Sequence, residues 1–348
     1  YLPERLSEGY GLNLPAVELL AKRGTKLLIT VDCGSTNVAE ISRAKALGLD
    51  VIVLDHHQEP ATIPPADSIV NPMFADETYP FKYQASAGVA FTVARALLLA
   101  SDNGKKLNHP LAENWSDQLL DLAGIATVTD MMPLRGENRS MVRKGLTTLR
   151  ATKRPGLRAL FDIIGQPLDQ ANEFSIGWQI GPRLNAAGRL HHPSLALELL
   201  LTRDQSRARD LALELQTLNS DRQKLTQLAV AEALDQITAQ GEQSAYSAFA
   251  SHWSPGILGL IAGRLAERVA RPAAAFLGAV LTLVVLFALA RFQGRTFYPH
   301  NPQVTLMRTT PDGEQTDYPK GVSVSNVPDM PDPGPGAETF FYTNQQSA

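Results

Sequence analysis

Three consecutive polar residues, Asp55, His56 and His57, end the apolar run VIVLD that begins at Val51. Neighbouring side chains on a strand point to opposite faces, but just past a strand end two histidines can fan toward one site. Asp32 closes the run KLLITVD in the same way, and Asp130 closes IATVTD. Carboxylate oxygen with imidazole nitrogen suits Mn²⁺, Mg²⁺ or Zn²⁺, while the lack of thiolate pairs disfavours a structural zinc site. A carboxylate-rich cluster with one His is typical of two-metal phosphate-ester hydrolysis, in which ions about 3.5–4 Å apart clamp the attacking and leaving oxygens. Blander readings compete. A terminal Asp often only caps a helix or turn, and an isolated His pair is usually a polar surface feature. Two strand-end aspartates in succession shift the balance toward a site.

These residues need a scaffold. Between the runs ending in Asp32 and Asp55 lies Asn37–Leu49, with apolar residues at helical spacing. Strand, helix and strand at this spacing form a βαβ unit with adjacent parallel strands. Strand C-termini in such sheets line the ligand crevice. The run ending in Asp130 suits either a strand or a buried helix end. Arg139, Arg143, Lys144, Arg150, Lys153, Arg154 and Arg158 follow with no acid among them. Such a run is either a solvated helix face or a phosphate-tracking patch.

The expected fold class is α/β. Residues 1–193 form a parallel-sheet domain, and 194–241 a long amphipathic connecting helix or helix pair. Residues 242–272 begin a second α/β domain. Residues 273–290 carry no charge between Arg271 and Arg291, which reaches the lower limit for a membrane span and is expected to be helical. The Pro- and Gly-rich stretch 291–348 is expected to be an irregular tail.

The 348 residues are 44% hydrophobic and 19% charged, which excludes wholesale disorder and a coiled-coil rod. The single cysteine, Cys33, excludes an intramolecular disulfide and fits a reducing compartment. A net charge of −3 predicts no global attraction to a polyanion, so any nucleic-acid site must be local.

The segments VDCG (31–34), DHH (55–57), SAGVAF (86–91), TVTDMMPL (127–134) and GPRLNAAGR (181–189) occur in an order that strongly resembles the DHH phosphoesterase superfamily. Within it they resemble most the bacterial single-stranded-DNA-specific 5′→3′ exonucleases. DHH alone is a weak motif; GPRLNAAGR is far more specific, and the resemblance covers about residues 1–272.

The resemblance implies a metal-dependent phosphodiester hydrolase of DNA repair and recombination, cytoplasmic, with single-stranded DNA as substrate and Mn²⁺ or Mg²⁺ as cofactor. It implies Asp32, His56 and Asp130 as metal ligands, His57 beside the scissile phosphate, and Asp55 orienting the His pair. The GPRLNAAGR segment, as a loop, would turn Arg183, Asn185 and Arg189 toward the phosphates of the strand. Residues 251–264 resemble the start of the family's DHHA1 domain, with His252, Gly256 and Arg264 as further nucleic-acid contacts. For Trp178 and Trp253, a place in the core is the expectation, and His191 and His192 are expected at the surface.

Two departures matter. The family's first motif, an Asp-x-Asp strand end, is expected before residue 1, so one of two metal subsites would be incomplete and activity impaired. From residue 273 onward the chain departs from the family, and the apolar segment there suggests membrane contact. A DHH-type phosphodiesterase of short oligonucleotides or cyclic dinucleotides, and an inactive nucleic-acid-binding remnant, are the alternative readings.

Overall fold

The computed structural model describes residues 1–5, 7–101 and 116–276, and the backbone of 296–300, 303–309 and 315–316. The chain divides into two compact units, residues 1–219 and 220–345.

The first unit opens with helix α1 (Leu14–Lys22), capped by Asn13, whose Oδ1 accepts from the Ala16 N–H at 2.8 Å. Strand β1 (Leu27–Val31), helix α2 (Val38–Ala46) and strand β2 (Asp50–Leu54) then form the expected βαβ unit. β1 and β2 pair in parallel from Leu27↔Asp50 to Val31↔Leu54, and strand β3 (Ser68–Val70) extends the sheet in the order β1-β2-β3. Alternation places Leu28, Val51 and Val53 on the face that packs with Val17, Ile41, Ala44 and Leu49. Among the described residues β1 is an edge strand, and Leu27, Ile29 and Val31 on its other face are exposed.

Among the described residues the α-helices that follow are α3 (Ser86–Ala100), α4 (Leu120–Thr129), α5 (Gly136–Arg150), α6 (Pro155–Ile164), α7 (Gly181–Leu190) and α8 (Ser194–Leu201). α4 is rich in β-branched residues yet helical. Its buried Thr127 hydroxyl donates to Ala123 O at 2.7 Å, and the Thr129 hydroxyl to Ile125 O at 2.9 Å, so both polar groups are satisfied within the helix. α4 and α5 meet at two glycines. A Cβ on Gly145 would lie 2.5 Å from Leu120 O and 3.0 Å from Gly124 Cα, an approach only glycine permits. The larger core joins Ile125, Leu146, Leu149, Leu157, Leu160, Phe161, Ile176, Ile180, Leu199, Leu211 and Leu215.

Helix α9 (Gln205–Ala239) gives its first half to the first unit and its second half to the second. Residues 194–241, expected as one long helix or a helix pair, form two helices. α8 ends before Thr202, and its Leu195 and Leu199 belong to the core of the first unit.

In the second unit, strand β4 (Tyr246–Phe249), helix α10 (Leu258–Val269) and strand β5 (Ala273–Phe276) make another βαβ unit, with β4 and β5 parallel. The helix expected over 273–290 is thus corrected at its start. Ala273–Phe276 is a strand buried along its whole length, because pairing with β4 satisfies its backbone and α10 covers it. Residues 277–290 lie outside the described residues. Among the described residues no helix is long and apolar enough to cross a membrane.

The irregular tail expected over 291–348 is also corrected in part. Strands β6 (Thr296–His300), β7 (Gln303–Thr309) and β8 (Gln315–Thr316) form an antiparallel sheet in the order β6-β7-β8.

Candidate metal centre

The parallel ladder runs one residue past each strand. The Asp32 N–H donates to Leu54 O at 3.0 Å, and the Asp55 N–H to Val70 O at 3.1 Å. Both aspartates are thereby held at the C-terminal edge of the sheet, where the backbone leaves the strand. Asp32 makes that exit with φ +65, a left-handed conformation that costs most residues about 1 kcal/mol and that Asp and Asn tolerate best. Gly34 follows at φ +117. A Cβ there would lie 2.5 Å from Thr30 Oγ1 and 2.9 Å from Val53 Cγ1, so the turn can close over the strand ends only with glycine.

Asp130 comes from a different element. It is the C-cap of α4, and Met131 after it has φ +54, which turns the chain sharply away. The three expected residues converge. His56 Nε2 lies 3.3 Å from Asp32 Oδ1 and 3.5 Å from Asp130 Oδ2. Asp32 Oδ1 and His56 Nε2 are buried atoms with no hydrogen-bond partner. Buried polar atoms without partners are costly, and several aimed at one point are the arrangement a cation satisfies. Ligand-capable atoms of Asp32, His56 and His57 also lie within 4.8 Å of one another. Hard oxygen donors with imidazole nitrogen and no thiolate fit Mn²⁺ or Mg²⁺.

His57 is held differently. Its Nδ1 lies 2.6 Å from Asp55 Oδ1, and Asp55 is 1% exposed. Oδ1 also accepts from the His56 N–H at 2.8 Å, and Oδ2 accepts from the Ser35 N–H at 3.1 Å. Burial by itself would raise the Asp55 pKa, but the bond and charge of His57 and the bonds from Ser35 hold it well below the usual carboxylate range. Burial would lower His57, but the bond and charge of Asp55, with the charges of Asp32 and Asp130, raise it above its ordinary value. The ionised Asp55 accepts only, so Nδ1 carries the proton and Nε2 is left for the site. Burial and the charges of Asp55 and Asp32 push the Cys33 thiol up to about 12, which leaves it unsuited to nucleophilic chemistry.

Residues 1–127 match the DHH family, N-terminal domain. The chain is 41% identical over 274 residues to the single-stranded-DNA-specific exonuclease RecJ of Bacillus subtilis, covering 78% of this chain and 33% of that protein. It is 37% identical over 285 residues to the RecJ of Escherichia coli, covering 79% of this chain and 49% of that one. Its structure superposes on exonuclease RecJ bound to manganese with a TM-score of 0.67 at 34% identity, covering 79% of this chain and 67% of that one. The chain belongs to the DHH family, among the RecJ proteins. It spans from a third to about half the length of these curated RecJ relatives. The Thermus thermophilus RecJ in complex with Mg²⁺ is also similar, with a TM-score of 0.53 at 27% identity.

The GPRLNAAGR segment is a helix, α7, and not a loop. It continues directly from the π-helical stretch Ser175–Ile180, with Pro182 at the junction, and Gly181 fits against α4, where a Cβ would meet Thr129 Cγ2 at 2.5 Å. Arg183 is half-buried; its Nε donates to Gln216 Oε1 at 2.8 Å and one terminal nitrogen to Gln179 O at 2.7 Å. Asn185 is partly exposed and Arg189 buried. His252, Gly256 and Arg264 belong to the second unit. His252 is exposed, and Glu232 Oε2 holds both its Nε2, at 3.0 Å, and the indole N–H of Trp253, at 2.9 Å. Gly256 is buried in the turn before α10, and Arg264 is exposed on that helix. Of the two tryptophans expected in the core, Trp253 is 3% exposed, but Trp178 is 73% exposed, because Ile176 and Ile180 fill the inward face of its turn.

Sequence reasoning missed two supporting residues. The Asn71 amide donates to Ser35 Oγ at 2.9 Å and to His57 O at 2.8 Å, tying the turn after β2 to the turn after β1. Asn71 directly follows the last residue of β3, so the strand-end logic that singled out Asp32 and Asp55 applies to it too.

Proposed function

We propose that this chain is the catalytic portion of a RecJ-type nuclease that hydrolyses phosphodiester bonds at the 5′ end of single-stranded DNA. The observation that carries the reading is the convergence of Asp32, His56 and Asp130 from two strand ends and a helix end, beside a His57 fixed by Asp55. Asp32, His56 and Asp130 would hold Mn²⁺ or Mg²⁺, with the donor atoms already gathered and desolvated. The bound ion supplies a Lewis acid for the phosphate and lowers the pKa of water at the site.

The remaining work falls to the chain's own groups. Asp55 fixes the His57 tautomer with the proton on Nδ1, which would leave Nε2 for a phosphate or leaving-group oxygen. Ser35 and Asn71 keep Asp55 and the His57 backbone in register. Arg183, with a planar fork already oriented by Gln179 and Gln216, and Asn185 on the same helix would position the strand's phosphates, and the buried Arg189 completes that set. His252, Gly256 and Arg264 of the second unit belong to the same nucleic-acid-binding reading, as does the cytoplasmic location the family implies.

The test is a panel of 5′- and 3′-labelled single strands, a duplex, a dinucleotide and a cyclic dinucleotide, each with Mn²⁺ or Mg²⁺. Release of mononucleotides from 5′ ends of single strands supports the proposal. Turnover confined to the dinucleotide or the cyclic compound replaces it with a small-substrate phosphodiesterase. Binding without metal-dependent turnover leaves a nucleic-acid-binding remnant.

A further inference from the structure

Two large aromatic side chains stand side by side in solvent. Phe174 is 63% exposed and Trp178 is 73% exposed, yet their rings stack with centroids 6.3 Å apart and planes 28° from parallel. Phe174 immediately precedes, and Trp178 lies within, a π-helical stretch, Ser175–Ile180, whose Ser175, Ile176 and Ile180 are buried. The inward residues already anchor the turn, so the pair is not needed to hold it. Exposed apolar surface without a packing role commonly marks a binding surface, and π-turns occur often at functional sites.

The turn is placed beside the Asp–His cluster. A Cβ on Gly177 would rest 3.6 Å from Val128 Cγ1, and one on Gly181 would meet Thr129 Cγ2 at 2.5 Å. Val128 and Thr129 immediately precede Asp130, so the segment carrying Trp178 packs on the end of α4 that presents Asp130. The surrounding sequence is cationic. Glu173 is the nearest acid, and from Phe174 to Leu197 there is no other, while Arg183 and Arg189 fall within that stretch. An aromatic face next to cationic groups suits a nucleobase on a phosphate backbone, and every base offers a π-face whatever its identity. A duplex hides those faces inside its stack.

We propose that Phe174 and Trp178 form a stacking platform for an unpaired base of the strand whose phosphate reaches the Asp–His cluster. This rests on the nuclease reading above and adds to it the residues that favour a single strand over a duplex. The experiment measures binding of fluorescein-labelled oligothymidylate and an abasic oligomer of equal length by anisotropy, with divalent ions chelated so that neither strand is cut. The native chain binds the oligothymidylate about tenfold more tightly than the abasic strand. Phe174→Ala with Trp178→Ala brings the oligothymidylate down to the abasic level and leaves abasic binding unchanged, while Trp178→Phe keeps most of the preference. Equal affinities of the native chain for the two strands, or equal losses on both in the double variant, overturn the platform and leave the nuclease reading standing. Failure to bind either strand overturns the platform, while the nuclease reading stands or falls by the cleavage panel.

Discussion

His56 Nε2 sits 3.3 Å from Asp32 Oδ1, although one residue follows β2 and the other β1. Parallel pairing of those two strands makes neighbours of residues that a whole helix separates in sequence. With Asp130 Oδ2 at 3.5 Å from the same nitrogen, two carboxylates crowd one imidazole. A divalent cation bound among them would relieve the crowding of the two carboxylates.

Asp32→Asn therefore acts with opposite signs in two buffers. With chelator, removing one of the crowded charges leaves the melting temperature unchanged or raises it, and Asn keeps the left-handed backbone at φ +65. With Mn²⁺, the native chain gains about 2.7 kcal/mol at a free ion concentration of one hundred times Kd, and the variant gains much less. Differential scanning calorimetry in the two buffers checks both signs. Destabilisation by Asp32→Asn in chelator would show that the carboxylates are not in conflict.

Binding of one Mn²⁺ per chain is the expected stoichiometry from the donors gathered around His56. Titration followed by electron paramagnetic resonance counts the sites, and His56→Ala abolishes the tight one. Two tight sites of equal affinity would mean that donors beyond Asp32, His56 and Asp130 take part.

The Asp55–His57 pair gives a pH signature. Asp55 has a folded pKa below its ordinary 3.8, so its share of stability is present above that value and is lost as pH falls toward the folded one. His57 has a folded pKa above its ordinary 6.5, so its share is full below 6.5 and is lost as pH rises through the raised value. The difference in unfolding free energy between the native chain and Asp55→Asn is thus largest between these limits and shrinks on both sides. Urea unfolding in chelator at several pH values measures it. A difference that keeps growing above neutral pH would contradict the pair's assigned charges.

Gly145→Ala tests how α4 is positioned. The new methyl would meet Leu120 O at 2.5 Å, and neither backbone can yield cheaply. A loss of about 1–3 kcal/mol is expected from such overpacking. A shift of α4 also moves Asp130, so Mn²⁺ affinity falls along with stability. Unchanged affinity in a folded but less stable variant would separate the helix contact from the site.

Arg183→Gln is expected to weaken single-strand binding and to flatten the slope of log K against log salt by about 0.7, the value of one lost phosphate contact. Binding measured from low to moderate salt reads the slope directly. Weaker binding with an unchanged slope would assign Arg183 to holding Gln216 and the helix turn rather than to the strand.

The amino-acid sequence by itself determined the βαβ unit and the residues that matter at its ends. Apolar runs closed by Asp32 and Asp55 around a helical spacing admit one economical arrangement, and parallel neighbours with shared C-terminal edges follow from chain handedness. Local pattern could not decide Asp130, because a run such as IATVTD packs equally well as a strand or as a buried helix. The helix won because Thr127 and Thr129 bond their own backbone and Gly124 and Gly145 let α5 lie against α4. The same limit applies to Ala273–Phe276: four small or apolar residues leading a long uncharged run look helical alone, and only pairing with β4 makes them a strand. GPRLNAAGR, with Pro and two Gly, looks like a loop until Gly181 is placed against Thr129. Trp178 was beyond sequence reasoning for a related reason. Hydrophobicity says that an aromatic prefers burial, but which face of a turn meets the core is fixed by its neighbours, and Ile176 and Ile180 took that face.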